Sequence, residues 1–201
     1  DYLVKSFQKV AALEPDILAI TGDLISYRSD AQIAELRRVL AHLPQGRIAT
    51  LAVLGNHDYG HHWRQKSVAE SVCEELARAG VRVLRNESEL IHGLVVAGVD
   101  DLWAREFAPE AALAKITADT PALVLCHNPD AADQPGWGDY QGWILSGHTH
   151  GGQCKPPFLP PPLQSVRNPR YVAGEVPLAD GRRLYINRGL GHMVVPARFN
   201  A

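Results

Sequence analysis

The chain is 201 residues long, 46% hydrophobic and 21% charged; this excludes a disordered chain and gives a single domain over 1–201 enough material for a sizeable core. Twenty Lys and Arg against 22 Asp and Glu leave a formal net charge of −2, which excludes a strong overall field drawing in nucleic acid or an anionic membrane. An anionic substrate must then be held by a local device, and a metal would serve.

In chain order, Leu3, Val4, Phe7, Val10 and Ala11 have helical spacing, and Glu14-Pro15-Asp16 stops that helix before the apolar strand Ile17-Leu18-Ala19-Ile20. The alternation repeats with a second helix marked by Ile33, Leu36, Val39, Leu40 and Leu43, a turn at Pro44-Gln45-Gly46 and a strand from Ile48 to Leu54. A third helix covers roughly Ser67 to Ala79 and closes at Gly80, with short strands following at Val81–Leu84 and Leu94–Val99. After a short helix beginning near Pro109 come strands at Ala122–Cys126 and Trp143–Ser146, each ending in a histidine-bearing turn.

Lys155 to Gly174 reads as a proline-rich loop with Pro156-Pro157 and Pro160-Pro161-Pro162, and the last strand is expected at Leu184–Asn187. Strands alternating with helices of this length need crossover connections, so the fold class is α/β with helices covering the sheet. No run of about 18 apolar residues and no signal-peptide pattern occurs. The three cysteines, Cys73, Cys126 and Cys154, are odd in number and far apart, which suggests neither a disulfide framework nor a thiolate zinc site.

Metal-ligand residue types stand at the ends of the predicted strands: Gly22-Asp23, Gly55-Asn56-His57-Asp58, His127-Asn128 and Gly147-His148-Thr149-His150. In an open α/β sheet the carboxyl ends of the strands form the crevice where ligands bind, so these dispersed groups converge. Singly, each has a plain explanation: Asp23 as a cap or turn residue, Asn56-His57-Asp58 as a polar turn, His127 as a satisfied core histidine. Their conjunction, with Gly151-Gly152 allowing close approach of backbone, points instead to a bound ion.

These blocks, in this order, resemble the signatures of the calcineurin-like metallophosphoesterases. Gly151-Gly152-Gln153, Arg188-Gly189-Leu190-Gly191 and Pro196-Ala197-Arg198-Phe199-Asn200 resemble its bacterial YkuE and YaeI type phosphodiesterase branch. The resemblance implies a four-layer α/β/β/α sandwich carrying two transition-metal ions, Mn, Fe or Zn, about 4 Å apart. It implies that Asp23 bridges them, that Asn56, His127 and His148 complete one site, and that His150 belongs to the other. It further implies hydrolysis of phosphodiesters by a metal-bridging hydroxide, with His57 contacting the phosphate and protonating the leaving oxygen. Asp58 is expected to support the loop.

The family's first block, an Asp-x-His, is not found upstream of Asp23, and the family pattern continues beyond Arg198-Phe199-Asn200 into another strand. The expectation is therefore a chain truncated at both ends with one metal position incomplete, the alternative being a natural variant that lost that position. Retention of every later ligand favours truncation. A missing N-terminal segment would also be the route to any membrane association or export; the oligomeric state is left open.

Phosphomonoesters or pyrophosphate bonds in lipid precursors are the runner-up substrates, and a metal-binding scaffold without turnover is the rival from another class. Among the remaining residues, His61 and His62 could reach substrate but are discounted, since adjacent exposed histidines usually do nothing specific, and His42, His92 and His192 are set aside. Trp63, Trp103, Trp137 and Trp143 either line a cleft or pack. Arg170 is a weak candidate for substrate contact, and Cys126, next to His127 on a strand, belongs to the core.

Overall fold

The apolar runs of the chain pair into two sheets. In the computed structural model, which describes residues 2–159, 165–192 and 197–200, the strands are β1 (Ile17–Ile20), β2 (Ala49–Ala52), β3 (Arg82–Val83), β4 (Glu87–Ile91), β5 (Leu94–Val99), β6 (Ala122–Cys126), β7 (Trp143–Ser146), β8 (Gly174–Pro177) and β9 (Arg183–Ile186). The α-helices are α1 (Tyr2–Ala11), α2 (Ala31–Leu40), α3 (Lys66–Arg78) and α4 (Pro109–Leu113). Pro160-Pro161-Pro162 and Pro196, all weighed in the sequence, lie outside the described residues.

The smaller sheet has the order β1-β2-β3 and is parallel throughout; the larger has the order β4-β5-β6-β7-β9-β8. Within the larger sheet β5, β6, β7 and β9 run parallel, and β4 and β8 close the two edges as antiparallel strands. Every residue of β2 is buried, as a central parallel strand covered on both faces requires.

Side-chain alternation sorts the core into layers. Ile20, Ala52 and Leu54 pack against Leu36 and Leu40 of α2 and Val68, Val72 and Leu76 of α3. On the opposite face of the same sheet, Ala49, Leu51 and Val53 meet Val96 of β5 and Leu125 of β6, so the two sheets face each other. The outer face of the larger sheet, with Val99, Cys126, Ile144 and Ile186, packs on Ala112, Leu113, Ala131 and Trp137. The fold is thus mixed α/β, with one core cluster between the two sheets and one against the other face of each. Trp137 and Cys126 are core residues, whereas α1 forms as its spacing predicts but buries none of its residues.

Parallel crossovers bring the carboxyl ends of β1, β2, β5, β6, β7 and β9 to one edge, and polar contacts tie that edge together. Gly147 N donates to His127 O at 3.0 Å and Asn187 N to Ser146 O at 2.9 Å. Asn187 Nδ2 donates to Thr21 Oγ1 at 2.7 Å, joining the two sheets there.

Two strands depart from the sequence expectation. β4, Glu87-Ser88-Glu89-Leu90-Ile91, is mostly polar with only a Leu-Ile pair at its end, and joins β5 through the two-residue turn His92-Gly93, both at positive φ (47° and 90°), the geometry of a tight hairpin. β8 begins at Gly174, where the sequence suggested the end of a loop. Its Pro177 is tolerated because β8 is an edge strand.

Candidate metal centre

Each predicted site residue stands just beyond a strand end, and three of them are held in a strained backbone. Asp23 (φ 58°), His148 (φ 69°) and His150 (φ 52°) all lie in the left-handed region, which costs a non-glycine residue on the order of 1 kcal/mol or more and clusters at functional sites. Asp58 pins the first of these turns. Its buried carboxylate accepts from the backbone N–H groups of Asp23 (2.9 Å), Leu24 (2.8 Å), Ile25 (3.2 Å) and Gly55 (2.8 Å), the loop-supporting role expected of it. Burial and the neighbouring Asp23 charge raise its pKa to about 7.

Asp23, His127 and His148 converge, each offering one ligand atom within 4.8 Å of the others. Asp23 Oδ1 accepts from His57 N at 2.9 Å, and Oδ2 lies 3.1 Å from His127 Nε2. The tautomers follow from the outer partners. His127 Nδ1 donates to Thr21 O at 2.6 Å and His148 Nε2 donates to Ser165 O at 3.0 Å, and carbonyl oxygens can only accept. In the neutral rings this leaves His127 Nε2 and His148 Nδ1 as acceptors facing each other 3.1 Å apart. Facing lone pairs repel unless a cation lies between them.

Two further donors support the same reading. Asn56 is fully buried, yet both its Oδ1 and its Nδ2 lack a hydrogen-bond partner among the described residues, and so does the buried Nδ1 of His150. An orphaned buried amide costs roughly 1–3 kcal/mol, so a native structure that keeps one has a reason to. Converging carboxylate and imidazole donors, with an unpartnered amide on the adjoining turn, fit a transition-metal ion, and a backbone carbonyl on each outer nitrogen is the usual way of aiming a histidine ligand. In the protein alone a proton fills the gap. Burial disfavours charge on His127, but Asp23 outweighs it and pushes the pKa up to about 9, while burial and the His127 charge bring His148 down to about 3.

His57 is half-buried beside the cluster; its charge is felt at Asp23 and His148, but no contact draws its ring among their ligand atoms. His150 stands apart from the Asp23, His127, His148 group, and its loop is held by Arg198, which donates to His150 O at 3.2 Å and to Arg188 O at 2.7 Å.

Several contributors were not singled out as functional in the sequence. Asp130 accepts from Arg167 N and Asn168 N at 2.7 and 3.1 Å, anchoring the segment whose Ser165 carbonyl orients His148. Asp101, fully buried beyond β5, accepts from Trp103 N and Ala104 N, keeps Oδ2 unpartnered among the described residues, and has its pKa raised to about 6 by burial. Its signal was available: Asp100-Asp101 follow an apolar strand just as Asp23 does.

Trp63 and Trp103 adjoin the site, with Trp103 edge-on to His148 at 4.5 Å. Trp143 lies under Arg183, His61 meets Tyr27, and Arg170 is spent on Pro177 O at 3.2 Å.

Residues 1–152 match the family described as calcineurin-like phosphoesterase. The chain is 32% identical to phosphodiesterase YaeI of Escherichia coli, over 90% of this chain and 65% of that protein. It is 32% identical to the uncharacterized metallophosphoesterase YkuE of Bacillus subtilis, over 94% of this chain and 65% of that one. To the UDP-2,3-diacylglucosamine pyrophosphatase LpxG of Chlamydia muridarum it is 27% identical, over 94% and 72%. The chain thus spans about two thirds of the length of these relatives.

Proposed function

Because the chain belongs to the calcineurin-like phosphoesterase family, we propose that it hydrolyses phosphodiesters with the help of transition-metal ions held at the strand-end cluster. The observation that carries this reading is the pair of inward-facing nitrogens, His127 Nε2 and His148 Nδ1, 3.1 Å apart beside Asp23 and the unpartnered Asn56. Asp23, Asn56, His127 and His148 would hold one ion and His150 would contribute to a second; Mn, Fe and Zn all suit these donors. Such ions, when bound, supply Lewis-acid stabilisation of the phosphoryl oxygens and lower the pKa of water.

The chain's own residues do the rest. Asp58 and Gly55 fix the Asp23 turn, Thr21 and Ser165 aim the histidines, and Trp103 packs against the His148 ring. His57, tethered through its backbone N–H to Asp23, is free to contact the phosphate and to deliver a proton to the leaving oxygen from its ring.

The test is metal content measured together with hydrolysis of bis(p-nitrophenyl) phosphate. Less than about a tenth of an ion per chain after adding Mn or Zn, with no hydrolysis, defeats the proposal. A pyrophosphate bond in a lipid precursor is the second reading, favoured by the likeness to a protein named as a UDP-2,3-diacylglucosamine pyrophosphatase.

A further inference from the structure

The turn after Gly60 and the loop after Asp101 meet at a pair of tryptophans beside the cluster. The Trp63 and Trp103 rings lie 4.8 Å apart at 31°, and Trp63 stands 6.5 Å from the His57 ring. Both are only partly buried. Placing them there strains the chain: His62 (φ 54°), Trp63 (φ 58°) and Arg105 (φ 65°) are left-handed non-glycine residues. Local contacts must offset that strain. Asp101 Oδ1 does so for one loop by accepting from Trp103 N and Ala104 N, both at 2.8 Å. Gln65 Oε1 does so for the other by accepting from His61 N at 2.7 Å.

Next to this pair the same two loops enclose a cleft of about 370 Å³, lined by Tyr59, Arg64, Lys66, Ala104, Arg105 and Glu106. Lys66 and Glu106 neutralise each other at 2.7 Å. Among the described residues the guanidinium groups of Arg64 and Arg105 make no hydrogen bond or ion pair, so the cleft keeps an excess of positive charge. The apolar wall thus runs from the metal-ligand cluster at one end to two free guanidinium groups at the other. A guanidinium presents a planar fork that matches phosphate oxygens.

We propose that this cleft is a second anion subsite. It takes a phosphate on the group that the substrate carries beyond the scissile phosphorus, while the uncharged body of that group lies along Trp63 and Trp103. The ligand class is a phosphodiester bearing a second phosphate, as in a nucleoside substituted at both its 3′ and 5′ positions. The assignment rests on the phosphodiester reading, because that reading places the scissile phosphorus at the cluster.

The experiment follows intrinsic tryptophan fluorescence of the full chain as purified, titrated with thymidine 3′,5′-bisphosphate, thymidine 5′-phosphate and inorganic phosphate. The bisphosphate is expected to bind at least tenfold more tightly than either of the others. The exposed double variant Arg64→Ala, Arg105→Ala is expected to lose that preference with its melting temperature unchanged, and Trp63→Phe to reduce the fluorescence response. Equal affinity for the three ligands, or a preference that survives the double variant, overturns the subsite.

A parallel comparison of kcat/KM for thymidine 5′-(p-nitrophenyl phosphate) with and without a 3′-phosphate separates this proposal from the catalytic one. Binding preference without cleavage of either ester sinks the catalytic reading and leaves the subsite. Equal cleavage with equal binding does the reverse.

Discussion

Gly55 and Asp23 approach so closely that no side chain fits between them: a Cβ on Gly55 would stand 2.3 Å from Asp23 Oδ1 and 2.6 Å from its backbone nitrogen. The β2 and β1 turns are packed into one another at the point where the carboxylate is aimed. Gly55→Ala must displace the Asp23 turn, and overpacking of this kind costs about 1–3 kcal/mol. The variant is expected to melt lower and to bind at least tenfold less Mn or Zn at a fixed free concentration. Unchanged metal content by elemental analysis would show that Asp23 is not a ligand.

Asn56→Leu gives the metal-free and metal-bound proteins opposite responses. Replacing a buried, unpartnered amide by an apolar group of similar shape removes a desolvation cost, so in chelator the variant is expected to be more stable by about 1–2 kcal/mol. With metal present the lost oxygen ligand should weaken binding at least tenfold. Denaturant titrations with and without saturating Mn measure both. A loss of stability in both conditions means that Asn56 has a structural partner and not a ligand role.

His57→Ala separates proton delivery from ion binding. Its ring is not among the converging ligand atoms, so metal content should stay within experimental scatter of the unmodified protein. Turnover of a phosphodiester should fall about 10²- to 10⁴-fold, the usual contribution of a general acid. If the ion is lost with the side chain, the role assigned to His57 is wrong.

The proton between His127 and Asp23 makes stability pH-dependent when no metal is bound. His127 has a folded pKa raised to about 9, against about 6.5 in an unfolded chain, because Asp23 outweighs the effect of burial. The contribution is therefore fully present below about pH 6.5 and is lost as the pH rises through about 9. Denaturation in chelator at pH 6, 7.5 and 9 should show a decline that His127→Asn removes. Bound metal replaces the proton, so the holoprotein should lack this decline, and metal affinity should rise over the same interval. A pH-independent difference between His127→Asn and the unmodified protein excludes the shared proton.

Helix spacing, the strands at Leu94–Val99, Ala122–Cys126 and Trp143–Ser146, and the family blocks from Asp23 to His150 were legible in the sequence, because periodicity and glycine-flanked turns are local properties of the chain. β4 and β8 were not, since short amphipathic edge strands carry no apolar run to announce them. The convergence of Asp23, His127 and His148 required the fold, and so did the orientation of each ring. His127 is turned by a carbonyl 106 positions away and His148 by one 17 positions away. The left-handed backbone of Asp23, the unpartnered amide of Asn56 and the meeting of Trp63 with Trp103 were likewise set only by tertiary packing. Tautomer, burial and side-chain direction depend on which distant atoms surround a group, and a linear sequence does not state its own neighbours.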